Sequence, residues 1–141
     1  MVDENKIELH IPSIMGYEKV AMECAASAAR RMGFARERVE DLKTAVAEAC
    51  INAIEHGNKL DTTTQVGVML TVQDARLEVA VSDQGRGVGA VEPPNIDEKI
   101  GGIEPTRGWG MFLIRSLMNE VTLESPPEGG NVLRMVIHLE Q

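Results

Sequence analysis

The stretch Ser82-Asp83-Gln84-Gly85-Arg86-Gly87-Val88 constrains this chain more than any other. The run before it, Leu77-Glu78-Val79-Ala80-Val81, alternates apolar and other residues, which is the period of a strand. A strand that runs into Asp-x-Gly-x-Gly carries a carboxylate at its tip. Two residues able to take φ > 0, or to admit close backbone approach, follow it. The sheet then fixes Asp83 and aims it at whatever lies above the strand end. An ionised carboxylate only accepts hydrogen bonds, which suits an exocyclic amine such as N6 of adenine. The glycines let a flat ring lie against bare backbone. Taken alone, the same residues also read as an ordinary turn after a strand. Two further stretches bear on that choice: Glu48-Ala49-Cys50-Ile51-Asn52 upstream and Arg107-Gly108-Trp109-Gly110-Met111 downstream.

The rest of the chain supplies the frame. Lys6 to Pro12 alternates with Ile7, Leu9 and Ile11 on one side, a half-buried strand ended by proline. Ser13 reads as the cap of a helix running to about Met32 and closed by Gly33. The small residues from Ala25 to Ala29 allow another element to approach that helix closely. A second helix spans Ala35 to about His56, with Gly57 as its stop and an apolar stripe of Val39, Leu42, Val46, Ala49, Cys50 and Ala53. Glu48 and Asn52, four apart, stack on the face opposite that stripe, which within the helix alone reads as a solvated side.

Gln65–Val72 and Leu77–Ser82 are strands joined by a loop of hairpin length. Regularity then stops from Val88 to Thr106, a stretch carrying Pro93, Pro94, Pro105, Gly89, Gly101 and Gly102. An irregular stretch of roughly 20 residues inside a domain is often a functional lid, though a plain insertion reads the same way. Gly108-Trp109-Gly110 is expected to open a buried helix from Met111 to Asn119, followed by strands at Val121–Glu124 and Val132–Leu139. The order β-α-α-β-β-lid-α-β-β predicts an α/β two-layer sandwich, with helices on one face of a mixed, mostly antiparallel sheet. The expectation is a single domain over residues 1–141, with a lid at about 88–107.

Composition excludes several classes. The chain has 141 residues, and its 14 Lys and Arg against 22 Asp and Glu give a net charge of −8. That balance argues against direct nucleic-acid binding, which depends on cations facing phosphates. No apolar run approaches the ~18 residues of a membrane helix. The first residues are polar and acidic, unlike a signal peptide. Cys24 and Cys50 have apolar helical neighbours and read as reduced thiols of a cytoplasmic protein. Neither a P-loop nor a Gly-x-Gly-x-x-Gly after a strand occurs.

The three stretches make one chemistry together. A glycine pair at a helix start is an anion site, because free N–H groups and the helix dipole both favour negative charge. Asn52 offers a neutral oxygen suited to a hydrated Mg²⁺. Glu48, one turn away, offers a carboxylate able to orient a hydroxyl or water. Asp83 supplies the base-reading acceptor. Glu48-x-x-x-Asn52, Asp83-x-Gly85-x-Gly87 and Gly108-x-Gly110 resemble, in order and spacing, the nucleotide-binding boxes of the GHKL ATPase superfamily with its Bergerat-type fold. A lone domain of this length is most similar there to the anti-sigma-factor serine kinases of the RsbW and SpoIIAB type. The runs Glu48–His56 and Gly110–Met118 carry that similarity.

The resemblance implies a partner switch. Such proteins bind ATP or ADP with Mg²⁺, hold a sigma factor inactive, and phosphorylate a serine of a small STAS-type antagonist protein; many are homodimers. Carried over, Glu48 would be the catalytic base and Asn52 the Mg²⁺ ligand. Asp83 would read adenine, with Gly85 and Gly87 beside the base. Gly108 and Gly110 would face phosphates, and Arg107 the γ-phosphate. Two departures stand out. Gly57-Asn58 replaces the more usual Ala-Tyr, and Asn131 follows Gly130 where the family tends to threonine, a residue that helps tie the adenine-reading aspartate. A non-catalytic module that uses nucleotide only to switch protein partners is the alternative.

Overall fold

Alternation along four of the strands decides which face of the sheet is covered. The computed structural model describes residues 5–85 and 105–139. Its elements are β1 (Asn5–Pro12), α1 (Glu18–Met32), α2 (Arg36–Asn52), β2 (Gln65–Val72), β3 (Arg76–Ser82), α3 (Pro105–Leu117), β4 (Glu120–Glu124) and β5 (Val132–His138). The sheet order is β1-β2-β3-β5-β4. Direct pairing places side chains in rows across it. Leu9, Val68, Val81, Leu133 and Leu123 form one row, and Ile7, Leu70, Val79, Met135 and Val121 the next. The central members of both rows are buried under the helices. The opposite face carries Lys6, Glu8, His10, Glu78 and Arg134, and there Arg134 spans Glu78 and Glu124 at 3.1 Å each.

The sheet expected to be mixed is antiparallel at every pairing among the described strands. Chain traffic explains this. Two helices, rather than one, lie between β1 and β2, so the chain makes an extra pass and returns antiparallel beside β1. Between β3 and β4 the described residues hold one helix, and β4 does run parallel to β3, but β5 inserts between them.

Helix α1 contributes Ala21, Ala25, Ala26, Ala28 and Ala29 to the core, small enough to let it lie close upon α2. Its end is as expected, with Gly33 at φ 100°. Its start is not. Ser13 is buried and does not cap α1, because its hydroxyl is already engaged by Thr64 Oγ1 at 2.9 Å and by Asn58 Nδ2 at 2.9 Å. Helix α2 loosens at its end into a single wide π-type turn, Ala53–Gly57. Such turns recur at functional sites.

Helix α3 starts at Pro105, earlier than expected, which suits proline's fixed φ and missing N–H at a first helical position. Nor is it buried all round. Ile114 and Met118 enter the core, but Trp109 and Phe112 are 61% and 57% exposed and stack on each other at 5.3 Å. No helix among the described residues is long and apolar enough to cross a membrane.

Both cysteines are free. Burial, with the Glu18 carboxylate adding to it, pushes the Cys50 thiol from 9.0 up to about 12. An unfolded chain ionises that thiol from about pH 9, whereas the folded one keeps its proton. The stability tied to the neutral thiol is therefore complete below that pH and is lost as pH rises toward 12. Melting temperatures should fall more steeply between about pH 9 and 11 for the native sequence than for Cys50→Ala. Parallel curves would refute this.

Candidate functional site

Three elements converge where α2 loosens. Glu48 and Asn52 sit on the last turns of α2, Asp83 at the tip of β3, and Gly110 on α3. The solvated face that helix α2 offers when read alone is not what the structure shows for Glu48 and Asn52. Among the described helices α2 lies in the middle, with α1 on one flank and α3 on the other. Only a narrow strip, including Glu40 and Thr44, stays exposed, and both Glu48 and Asn52 are half-buried. A Cβ added to Gly110 would stand 2.7 Å from Glu48 Oε1 and 3.5 Å from Asn52 Nδ2. Glycine at 110 therefore lets α3 lie directly over both polar groups.

Asn52 and Asp83 line one cleft of about 140 Å³, with Ala49, Ala53, Val81, Met111, Leu123, Asn131 and Leu133. The floor is apolar and the polar groups stand at its margins. Whole-ligand pockets usually run to about 300–1,000 Å³, so this space matches a ring system rather than a complete nucleotide. Asn52 Nδ2 is buried and finds no hydrogen-bond partner among the described residues. A buried, unanswered amide costs stability unless something else satisfies it.

Asp83 is tightly oriented. Its backbone N–H donates to the Asn131 carbonyl at 3.0 Å. Its Oδ1 accepts two backbone N–H groups, from Gly85 at 2.9 Å and from Asn131 at 3.0 Å. The Asn131 side chain reaches Asp83 Oδ2 only at 3.5 Å, and its own Oδ1 accepts from Ser125 at 2.8 Å. Asn131 thus keeps the tie to the carboxylate, mainly through its backbone. Gly57 makes room for the same carboxylate, since a Cβ there would overlap it.

The remaining expected residues divide. Gly85 is buried beside Asp83. Gly108 and Gly110 lie inside the first two turns of α3 rather than at its start, so the free amides of the helix end belong to residues ahead of them. Nothing stands within 4 Å of a Cβ placed on Gly108. Gly87 and most of the expected lid, 88–104, lie outside the described residues, as does the side chain of Arg107. Asn58, noted in the sequence only as a departure, proves to be a buried junction of this region. Its partners lie 7, 26 and 45 residues away, so no local pattern announces it.

The sequence and the fold have clear relatives. The profile of the histidine kinase-like ATPase domain matches residues 13–137. The serine-protein kinase RsbW of Bacillus licheniformis is 34% identical over 127 residues, covering 84% of this chain and 77% of that one. The serine-protein kinase RsbW of Bacillus thuringiensis (strain Al Hakam) is 32% identical over 126 residues, covering 84% and 76%. A crystal structure of RsbU and RsbW domains from Mycobacterium tuberculosis superposes with a TM-score of 0.70 at 16% identity, over 97% of this chain and 33% of that longer one. The chain belongs to the histidine kinase-like ATPase family, among the relatives of the RsbW serine-protein kinases.

Proposed function

We propose that this protein is an ATP-dependent protein serine kinase and anti-sigma factor, which holds a sigma factor and phosphorylates a STAS-type antagonist on serine. The observation that carries the reading is the convergence of Asp83 and Asn52 on one apolar-floored cleft, with Glu48 beside Gly110 at its side. In this reading adenine enters the cleft and donates its amine to Asp83, beside the backbone of Gly85 and Gly87. The phosphates extend toward Gly108 and Gly110, with Arg107 against the γ-phosphate. The unanswered Asn52 amide fits a magnesium site, because its two ends are nearly isosteric and the oxygen turns inward as readily as the nitrogen. Bound there, Mg²⁺ would neutralise charge on the phosphates.

Glu48 accepts the proton of the serine hydroxyl. The serine oxygen forms its bond to the γ-phosphorus as the bond to the β,γ-bridging oxygen breaks, and ADP leaves. The rest of the chain supplies position and a dry floor rather than covalent chemistry. The same reading makes the protein a cytoplasmic homodimer, free of nucleic acid and membrane.

The test is calorimetric titration with ADP and with ATP plus Mg²⁺, with Asp83→Asn alongside. The amide nitrogen introduced would face the adenine amine donor to donor. Affinity should drop by about a hundredfold, from a lost charge-assisted bond and an unanswered buried donor. Equal affinities in the two proteins would remove Asp83 from the site. No binding by the native sequence at millimolar nucleotide would end the nucleotide reading.

A further inference from the structure

Asn58 is 5% exposed, and its one side chain ties three segments together. Its Oδ1 accepts the backbone N–H of Gln84 at 2.7 Å. Its Nδ2 donates to Ser13 Oγ at 2.9 Å and to the Gln65 carbonyl at 3.0 Å. The end of β1, the start of β2 and the turn after β3 therefore share one amide. The chain of bonds continues in a single direction. Thr64 donates its hydroxyl to the Asp61 carbonyl at 2.5 Å, which leaves Thr64 Oγ1 to accept from Ser13 at 2.9 Å. Gln84 is gripped a second time, because its Oε1 accepts the Gln65 N–H at 2.6 Å.

The grip bears on Asp83 through covalent geometry. Gln84 sits between Asp83 and Gly85, and the Gly85 N–H returns to Asp83 Oδ1 at 2.9 Å. With the Gln84 amide fixed, the peptide plane leaving Asp83 is fixed, and the carboxylate inherits its orientation. A buried acceptor reaching across 26 residues to a single N–H of this turn does more than fill space.

We propose that Asn58 is a positioning residue of the nucleotide site, holding the Gln84 amide so that the Asp83–Gly85 turn keeps the geometry that reads the base. The inference rests on the nucleotide reading above. It assigns to Asn58 a share of ligand affinity although Asn58 itself does not line the cleft.

The test pairs hydrogen exchange of the nucleotide-free protein with ADP titration, for Asn58→Ala, Asn58→Asp and Ser13→Ala. In Asn58→Ala the Gln84 amide should exchange at least about tenfold faster while Val68 in β2 is unchanged, and ADP should bind about tenfold more weakly, one buried hydrogen bond's worth. Asn58→Asp keeps the acceptor and should bring both back to within about threefold, with a lower melting temperature from the carboxylate facing the Gln65 carbonyl. Ser13→Ala cuts only the other arm. It should lower the melting temperature yet leave Gln84 exchange and ADP affinity alone. Should Asn58→Ala not fold, Asn58→Ser, too short to reach Gln84, takes its place.

Unchanged Gln84 exchange, or equal loss of affinity in Ser13→Ala and Asn58→Ala, overturns the positioning role. Intact ADP binding in Asn58→Ala sinks this inference alone. Absence of ADP binding by the native sequence sinks the site reading, and the inference with it.

Discussion

Replacing Glu48 by glutamine should cut phosphate transfer to serine by about 10²–10⁴-fold, the usual worth of a general base, while ADP affinity stays within about threefold. The substitution is isosteric, so the close packing of Glu48 Oε1 against Gly110 is preserved. What the amide cannot do is take a proton. In the proposed reading adenine recognition would sit with Asp83 and the cleft, which does not include Glu48 among its lining residues. Binding and chemistry would therefore be carried by different side chains and should separate. The measurement is single-turnover transfer from γ-labelled ATP to a STAS-type antagonist from the same organism, with ADP titration of the same preparations. Normal transfer by Glu48→Gln would take the base's role away from Glu48. A native protein that binds ADP yet labels no antagonist would favour the non-catalytic module that only switches partners.

The placement of these side chains was legible in the sequence only in part. The position of Asp83 at the tip of β3 was, because a strand's alternation and two glycines act within the eleven residues from Leu77 to Gly87. The core rows were legible for the same reason: Val66, Val68 and Leu70, or Leu77, Val79 and Val81, declare their face by period alone. The status of Glu48 and Asn52 was not, since a helical period orients residues about one axis and says nothing of a neighbour such as α3 lying alongside. Ser13 misled in the same way. Its sequence context is that of a helix cap, but Thr64 and Asn58 claim the hydroxyl from 51 and 45 residues away. The start of α3 carried a local signal in Pro105 that the conspicuous Gly108–Gly110 pair outweighed. Asn131 was expected either to substitute for the family's threonine in tying Asp83 or to lose that contact. Its principal tie to Asp83 Oδ1 comes from the backbone N–H, which any residue but proline supplies.

That backbone tie makes Gly130 a vulnerable glycine of the site. Gly130 holds φ +78°, and a Cβ there would stand 2.5 Å from the Asp83 carbonyl oxygen and 3.5 Å from its carbon. Two costs should add in Gly130→Ala. A left-handed conformation costs an L-residue about 1–2 kcal/mol. Crowding against backbone, which cannot swing aside as a side chain does, costs about 1–3 kcal/mol more. The sum is about 2–5 kcal/mol, or a melting temperature lower by roughly 10 °C for a chain of this size. The site should suffer beyond that. Relieving the clash draws Asn131 away from Asp83 and loosens the pair of 3.0 Å bonds between them, Asp83 N–H to the Asn131 carbonyl and Asn131 N–H to Asp83 Oδ1. Gly129→Ala is the matched control. Gly129 has φ +112°, but nothing lies within 4 Å of its added Cβ, so strain comes without collision. Both variants should melt earlier, and only Gly130→Ala should bind ADP more weakly at a temperature where each is fully folded, by about tenfold. Equal affinities in the two would mean that Asp83 keeps its orientation without Gly130, and that the carboxylate is held from the Gly85 and Asn58 side alone.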